Sequence, residues 1–169
     1  MTMNFELREA SWSDRIVVDR MLELYLYDYS EFDHFDLDEH GCYRFDDIDY
    51  YWLEPQREVL VVKVDGKWAG FALTSDDVLQ EGCERSMDNF FILRKYRRNG
   101  LGRQVAEAVF ARTPARWELC VHQANTPASA FWRKVIAGVT RDEFQEVLFD
   151  NAQWQGPVFT FDNRKPSHS

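Results

Sequence analysis

The chain has no apolar run approaching the roughly eighteen residues that a membrane-spanning helix needs, so no membrane association is expected. It has 3 cysteines, Cys42, Cys83 and Cys120, an odd number, widely spaced and without a metal-ligand pattern. They read as reduced thiols, which points to the cytoplasm, and no metal is expected. The first residues, Met1 to Arg8, lack the basic start and apolar middle of a signal peptide, in keeping with that location. Positive charge is the scarcer sign: 20 Lys and Arg against 29 Asp and Glu leave a formal net charge of -9. That sign argues against a nucleic-acid partner and somewhat for cationic small substrates. Internal repeats and low-complexity tracts are absent as well. One domain over residues 1–163, followed by a disordered tail at 164–169, is therefore expected of the 169 residues.

Against this acidic background one stretch reverses the sign. Arg94, Lys95, Arg97, Arg98 and Arg103 surround a turn containing Gly100 and Gly102, which follows the apolar run Phe90-Phe91-Ile92-Leu93. Leu101, Val105, Ala108 and Val109 then recur at helical spacing. The turn thus coincides with the first amides of a helix, which have no intrahelical partner and favour an anion. Glycine at 100 and 102 removes the Cβ atoms that would keep a phosphate from the backbone. The run is not a Walker loop, and Val105 stands where a dinucleotide fingerprint needs its third glycine. A solvated basic hairpin leading into an ordinary core helix is the other reading of the same residues.

Around this turn the pattern reads strand (Met3 to Glu9), then a helix opened by the capping box Ser11-Trp12-Ser13-Asp14. That helix is expected to bury Val17, Met21, Leu24 and Tyr25 and to end near Tyr29. From Asp28 to Glu54 carboxylates alternate with rings: Asp28, Glu31, Asp33 and Asp36 among Tyr29, Phe32, Phe35 and Tyr43, with Arg44 the one cation. This is either a solvated acidic loop or a loop lining a pocket for an amine, with Tyr29, Glu31 and Asp33 as candidate contacts. Strands over Arg57 to Val64 and Lys67 to Thr74 flank the hairpin signal Asp65-Gly66. A strand over Ser86 to Leu93 leads into the glycine turn, and the helix after it stops before Pro114. Arg116 to His122 reads as a strand, a helix runs from Thr126-Pro127 to a stop at Gly138, and two late strands cover about Thr140 to Phe149 and Pro157 to Phe161.

The spacing Arg97-x-x-Gly100-x-Gly102 between strand and helix resembles the pyrophosphate-binding signature of the GNAT acetyltransferase superfamily. The block Asn125-Thr126-Pro127-Ala128-Ser129-Ala130-Phe131-Trp132 resembles that family's second motif, and the order of elements is that of its fold. Phe90 to Arg98, Ala130 to Ile136 and Gly156 to Phe159 are similar to a little-characterised bacterial branch of predicted acetyltransferases. The resemblance implies an α/β fold of the GNAT type: a mixed central sheet of about seven strands, flanked by about four helices and splayed at the coenzyme site. It implies acetyl-CoA as co-substrate, held by Phe91, Ile92, Leu93, Arg97, Arg98, Asn99, Gly100, Leu101, Gly102, Arg103, Asn125, Ser129, Phe131 and Trp132. It further implies transfer of an acetyl group to a primary amine of a small cationic molecule or peptide, in a ternary complex. A homodimer formed through residues 140–161 also belongs to what the family suggests.

Two departures from the family pattern stand out. Many members carry a tyrosine as general acid where this chain has Trp132, whose indole yields no proton at neutral pH. A glutamate often serves as base on the strand before the glycine turn, and here the carboxylate of that strand is Asp88. Alternation gives Asp88 the same side as Phe90 and Ile92, with Asp28, Glu31, Asp33, His34 and Glu84 as rival bases. The loss of the tyrosine also suits an acyl-CoA-binding sensor without turnover.

Overall fold

The computed structural model describes residues 3–164. Seven strands form one sheet: β1 (Phe5–Glu9), β2 (Glu58–Val64), β3 (Lys67–Ser75), β4 (Arg85–Ile92), β5 (Arg116–Cys120), β6 (Phe144–Asp150) and β7 (Gln155–Asp162). Their order is β1-β2-β3-β4-β5-β7-β6. All neighbours are antiparallel except β4 and β5, the parallel pair joined by the crossover through α3 (Leu101–Arg112). The other helices are α1 (Arg15–Tyr29), α2 (Ile48–Leu53) and α4 (Thr126–Thr140).

Both faces of the sheet are covered, which explains why β2 is a continuous run of branched residues rather than an alternating one. Leu60, Val62 and Val64 join the cluster that α3 and α4 complete with Val105, Val109, Phe110, Trp132 and Ile136. Val59 and Val61 join the opposite cluster with Phe71, Leu73 and Phe91, beneath Val18, Met21 and Leu22 of α1 and Tyr51 of α2. Burying one Leu, Val or Phe side chain contributes about 1.5–3 kcal/mol, so this two-sided packing dominates the fold's stability. Ser11 and Asp14 form the expected capping contact: the Ser11 N–H donates to Asp14 Oδ2 at 2.8 Å, and Arg8 donates to the same oxygen at 2.7 Å.

Several expected boundaries move. The buried face of α1 is Val18, Met21 and Leu22, with Val17 and Tyr25 partly buried beside them; Leu24 is exposed because the stripe is rotated by one residue. The acidic stretch contains α2, a helix the charge pattern concealed, and it buries Tyr51. Helix α4 passes through Gly138 and ends at Thr140, where Arg141 takes the left-handed conformation with φ 54°. The late strands start at Phe144 and Gln155, and β6 is an edge strand with Val147 and Leu148 exposed. Of the expected tail, residues 165–169 lie outside those described, and Arg164 pairs with Asp162 at 2.8 Å.

The decisive feature lies between β4 and β5. Only Arg85↔Trp117 and Ser86↔Glu118 are in register, after which the strands separate. Beyond the gap β7 is drawn against the exit of β5, where Val121 N–H donates to the Pro157 carbonyl at 2.9 Å. Gly156 makes that approach feasible. It has φ 138°, and a Cβ there would lie 2.2 Å from the Val121 carbonyl oxygen. Gly156→Ala should therefore cost about 3 kcal/mol through strain and overlap. For a domain of this size the melting temperature should fall by roughly 6–12 °C; an unchanged melting temperature would refute the tight approach.

Candidate active site

Gly100 ends the turn with φ 86°, a left-handed conformation that costs other L-residues roughly 1–2 kcal/mol. Helix α3 starts directly behind it, and the Gln104 N–H is the first to bond back, to the Gly100 carbonyl at 3.2 Å. Leu101 N–H is taken by Asn99 Oδ1 at 3.2 Å. Among the described residues the amides of Gly100, Gly102 and Arg103 have no partner. They border a cavity of about 760 Å³ lined by Phe90, Phe91 and Ile92, by Arg97, Arg98, Gly100, Gly102, Arg103 and Glu107, and by Pro127, Ala128, Phe131, Trp132, Lys134 and Gly138. A Cβ on Gly102 would lie 3.4 Å from the Phe131 ring, so glycine keeps α3 close to α4 there.

The basic residues divide into two groups. Arg97 is not a free cation: its Nε donates to the Ile92 carbonyl and its Nη2 to Asp28, each at 2.6 Å. Arg94 also donates to Asp28, at 2.6 Å. Burial alone would raise the Asp28 carboxyl, but the two guanidinium groups outweigh it and hold it below the ordinary range. Among the described residues, Arg98, Arg103 and Lys134 remain as the cations facing the cavity with no closer partner than Glu107, 4.0 Å from Arg103. Lys134 escaped the sequence reading because α4 was read only for its apolar stripe.

Separation of β4 from β5 leaves backbone groups facing the gap. Leu93 N–H donates to the Ala69 carbonyl at 2.8 Å, so the hydrogen-bonded side of β4 toward β3 carries Leu93, Phe91 and Asn89. Phe90 and Ile92 accordingly turn their N–H groups into the opening. This corrects the expectation for Leu93: its N–H is engaged, and its carbonyl accepts from Tyr96 at 2.9 Å.

A second cavity, of about 410 Å³, lies on the other side of the gap. Its lining includes Tyr25, Tyr29, Asp33, Phe35 and Phe45, then Asp88, Phe90, Cys120, His122, Asn125, Ala128, Trp132 and Trp154, and no lysine or arginine. The two cavities share Phe90, Ala128 and Trp132 as a common wall. Trp132 is buried among rings, its own ring centre 5.1 Å from that of Phe90 and 4.9 Å from that of Phe131.

Asp88 does not follow the expected alternation. Leu73 pairs with Asn89 and Thr74 with Met87, so Asp88 is the extra residue of a β-bulge. Met87 consequently joins the core cluster of Ile92, while Asp88 meets Tyr51 of the opposite cluster. Tyr51 Oη donates to Asp88 Oδ2 at 2.7 Å. Burial raises the Asp88 carboxyl above its ordinary value, and hydrogen bonds from Tyr51, Ser86 and Ser75 offset this only in part.

Other candidates fall outside. Asp33 shares the smaller cavity with Tyr29, but Glu31, His34 and Glu84 line neither, and Glu84 Oε2 instead accepts from Arg116 N–H at 2.9 Å. Ser129 is buried and lines neither cavity, and the same is true of the fully buried Leu101. Leu93 and Asn99 also lie outside both linings. Asn125 caps α4, its Oδ1 accepting from Ala128 N–H at 3.2 Å, and it lines the smaller cavity rather than the larger one. His122 was missed, lacking any motif; its Nδ1 accepts from Ala124 N–H at 3.1 Å. No cluster of three or more potential metal ligands occurs among the described residues, and no described helix is long and apolar enough to cross a membrane.

The splayed sheet thus carries an amide-lined basic cavity and an acidic aromatic one that meet at a common wall. Residues 18–136 match the family model "Acetyltransferase (GNAT) family", and the chain belongs to that family. Its fold is that of an acetyltransferase from Thermus thermophilus, with TM-score 0.70 and 16% identity over 95% of this chain and 97% of that one. The PaiA N-acetyltransferase of Thermoplasma acidophilum, in complex with coenzyme A, aligns with TM-score 0.61 and 16% identity over 95% and 99% of the two chains. The spermidine N-acetyltransferase of Vibrio cholerae, in complex with CoA and spermine, aligns with TM-score 0.62 and 14% identity over 92% and 93%. Comparison with curated proteins gives no match.

The depressed carboxyl of Asp28 has a stability signature. Its pairing with Arg94 and Arg97 contributes above the unfolded carboxylate value of about 3.9 and is lost as pH falls through the lower folded value. Asp28→Asn should lower stability by about 1 kcal/mol at neutral pH, and the difference should be smaller at a pH below about 3.9. Urea unfolding at both pH values checks this, and a deficit independent of pH would refute it.

Proposed function

We propose that this protein transfers an acetyl group from acetyl-CoA to a primary amine of a small cationic molecule or peptide, by direct attack in a ternary complex. The observation that carries the reading is the shared wall of Phe90, Ala128 and Trp132 between two cavities of opposite character. The donor fits the larger one. Free amides at Gly100, Gly102 and Arg103, with Arg98, Arg103 and Lys134, suit a pyrophosphate. The N–H groups of Phe90 and Ile92 suit an extended, amide-bearing arm, Phe131 packs beside it, and Asn125, which lines the smaller cavity, would meet the arm only beyond the shared wall. Coenzyme A in the Thermoplasma structure is consistent with this.

The amine fits the smaller cavity. Asp33 and Asp88 attract its charged form, and Tyr29, Phe35 and Trp132 favour it through their ring faces. The bound spermine in the Vibrio cholerae structure is in keeping with such an acceptor. Acetyl-CoA supplies an activated thioester carbonyl. Asp88 takes the proton from the ammonium, directly or through water, which its raised carboxyl favours, and the second N–H proton passes to solvent as the amide forms. The N–H of Ile92 polarises the carbonyl oxygen. Trp132 donates no proton, and a thiol of pKa about 8.5 departs without one. Held together, the reactants gain most of their acceleration from positioning. The tryptophan at 132 also favours a second reading, an acyl-CoA-binding sensor without turnover.

A thermal-shift titration tests the coenzyme site that both readings share. Acetyl-CoA at one hundred times its dissociation constant should add about 2.7 kcal/mol, a rise of roughly 5–10 °C, whereas ATP and NADH should not. Gly100→Asp should abolish the rise by placing bulk and negative charge beside the free amides, and normal affinity in that variant would refute the turn's role. Thiol release with an amine distinguishes the enzyme from the sensor. Asp88→Asn should lower kcat by roughly a hundredfold or more while keeping the coenzyme-induced rise; retained turnover would remove Asp88 as the base.

A further inference from the structure

Helix α2 has no part in the two motifs, yet it sends one side chain to Asp88, which lines the smaller cavity. Tyr51 is buried, its hydroxyl donates to Asp88 Oδ2 at 2.7 Å, and no other described hydroxyl donates to that carboxylate at a shorter distance. The β-bulge turns Asp88 out of the sheet's alternation and toward this partner. Arg57, just beyond α2, stands over the Tyr51 ring at 5.1 Å and is tied to Glu54 at 2.7 Å. A cation over the ring polarises the phenol toward donation.

We propose that Tyr51 is a positioning residue for the acetyl-transfer reaction, holding Asp88 Oδ2 so that Oδ1 is left to receive the proton of the acceptor amine. This rests on Asp88 serving as the base. The arrangement gives a buried carboxylate a donor held on a helix outside the sheet. It stabilises the ionised form enough for it to act as a base, and it restrains rotation of the carboxylate about its Cβ–Cγ bond. The other groups facing Asp88 are Ser75 of β3, Ser86 of β4 and Arg57, with the Cys120 thiol of β5 opposite and Asp33 and His122 lining the same cavity. Among these, only Tyr51 and the serines donate hydrogen bonds to it, and only Arg57 brings a compensating positive charge.

The sign of the effect follows. The base works ionised, so turnover rises with pH as Asp88 loses its proton. Removing the donor disfavours the anion, and the acid limb of the rate profile moves to higher pH. Tyr51→Phe, with its ring kept, should shift the limb of kcat/KM for the amine upward by about one pH unit. It should lower the plateau roughly tenfold and leave the acetyl-CoA thermal shift intact. Tyr51→His, which restores an N–H donor, should move the limb back. Tyr51→Met supplies the donorless comparison if the phenylalanine variant does not fold. An unmoved limb, with activity falling only in proportion to stability, overturns the proposal. So does a double variant Tyr51→Phe/Asp88→Asn that is much slower than Asp88→Asn alone. A fully active Asp88→Asn enzyme, by contrast, overturns the assignment of the base itself.

Discussion

The structure depends on one interrupted ladder. Between β4 and β5 only two residue pairs are in register, so the middle of the sheet, normally its most satisfied region, is left open toward one end. Unpaired backbone donors in such a place need a partner, from the chain, from solvent or from a ligand. The chain supplies it on one side only. Arg97 satisfies the Ile92 carbonyl, while the N–H groups of Phe90 and Ile92 stay directed into the opening. Everything on either side of the gap follows from this: the basic amide-lined cavity below α3 and α4, and the ring-lined acidic cavity below the end of α1.

Charge is arranged to keep these two environments distinct. Asp28, at the end of α1, neutralises Arg94 and Arg97, so the local surplus of cations is concentrated at Arg98, Arg103 and Lys134. On the other side the lining holds Asp33 and Asp88 with no opposing lysine or arginine. Asp88 is thereby kept in a poorly solvated place, which raises its carboxyl and suits it to proton transfer. Such a group opposes folding at neutral pH, a cost offset by the packing of the cluster to which its partner Tyr51 belongs.

Much of the fold was legible in residue pattern. The β-branched run of β2, the Asp65-Gly66 hairpin and the strand, turn and helix from Phe90 to Arg112 are local signals, each with its own periodicity or backbone demand. Other features were not legible, for equally physical reasons. The stripe of α1 was misplaced by one residue because apolar side chains occur on more than one face of that helix. Helix α2 was hidden because its carboxylates and rings carry no helical period over so short a span. The parity of Asp88 failed because a β-bulge inverts alternation, and nothing in Ser86-Met87-Asp88-Asn89 announces one.

The sequence by itself determined the family, the order of the strands and of every helix but α2, and the location of the glycine turn. Those rest on backbone geometry and local spacing: glycine where the chain must turn left-handed, free amides where a helix begins. Only the tertiary structure decided which charges are available and which are already paired. Arg97 and Lys134 look alike as residues, but one is neutralised by Asp28, 69 positions away, and the other faces the cavity. The same holds for Asp88, whose partner Tyr51 lies 37 positions away on a helix that the pattern did not disclose. Long-range pairing depends on how the layers pack, and local composition does not encode it.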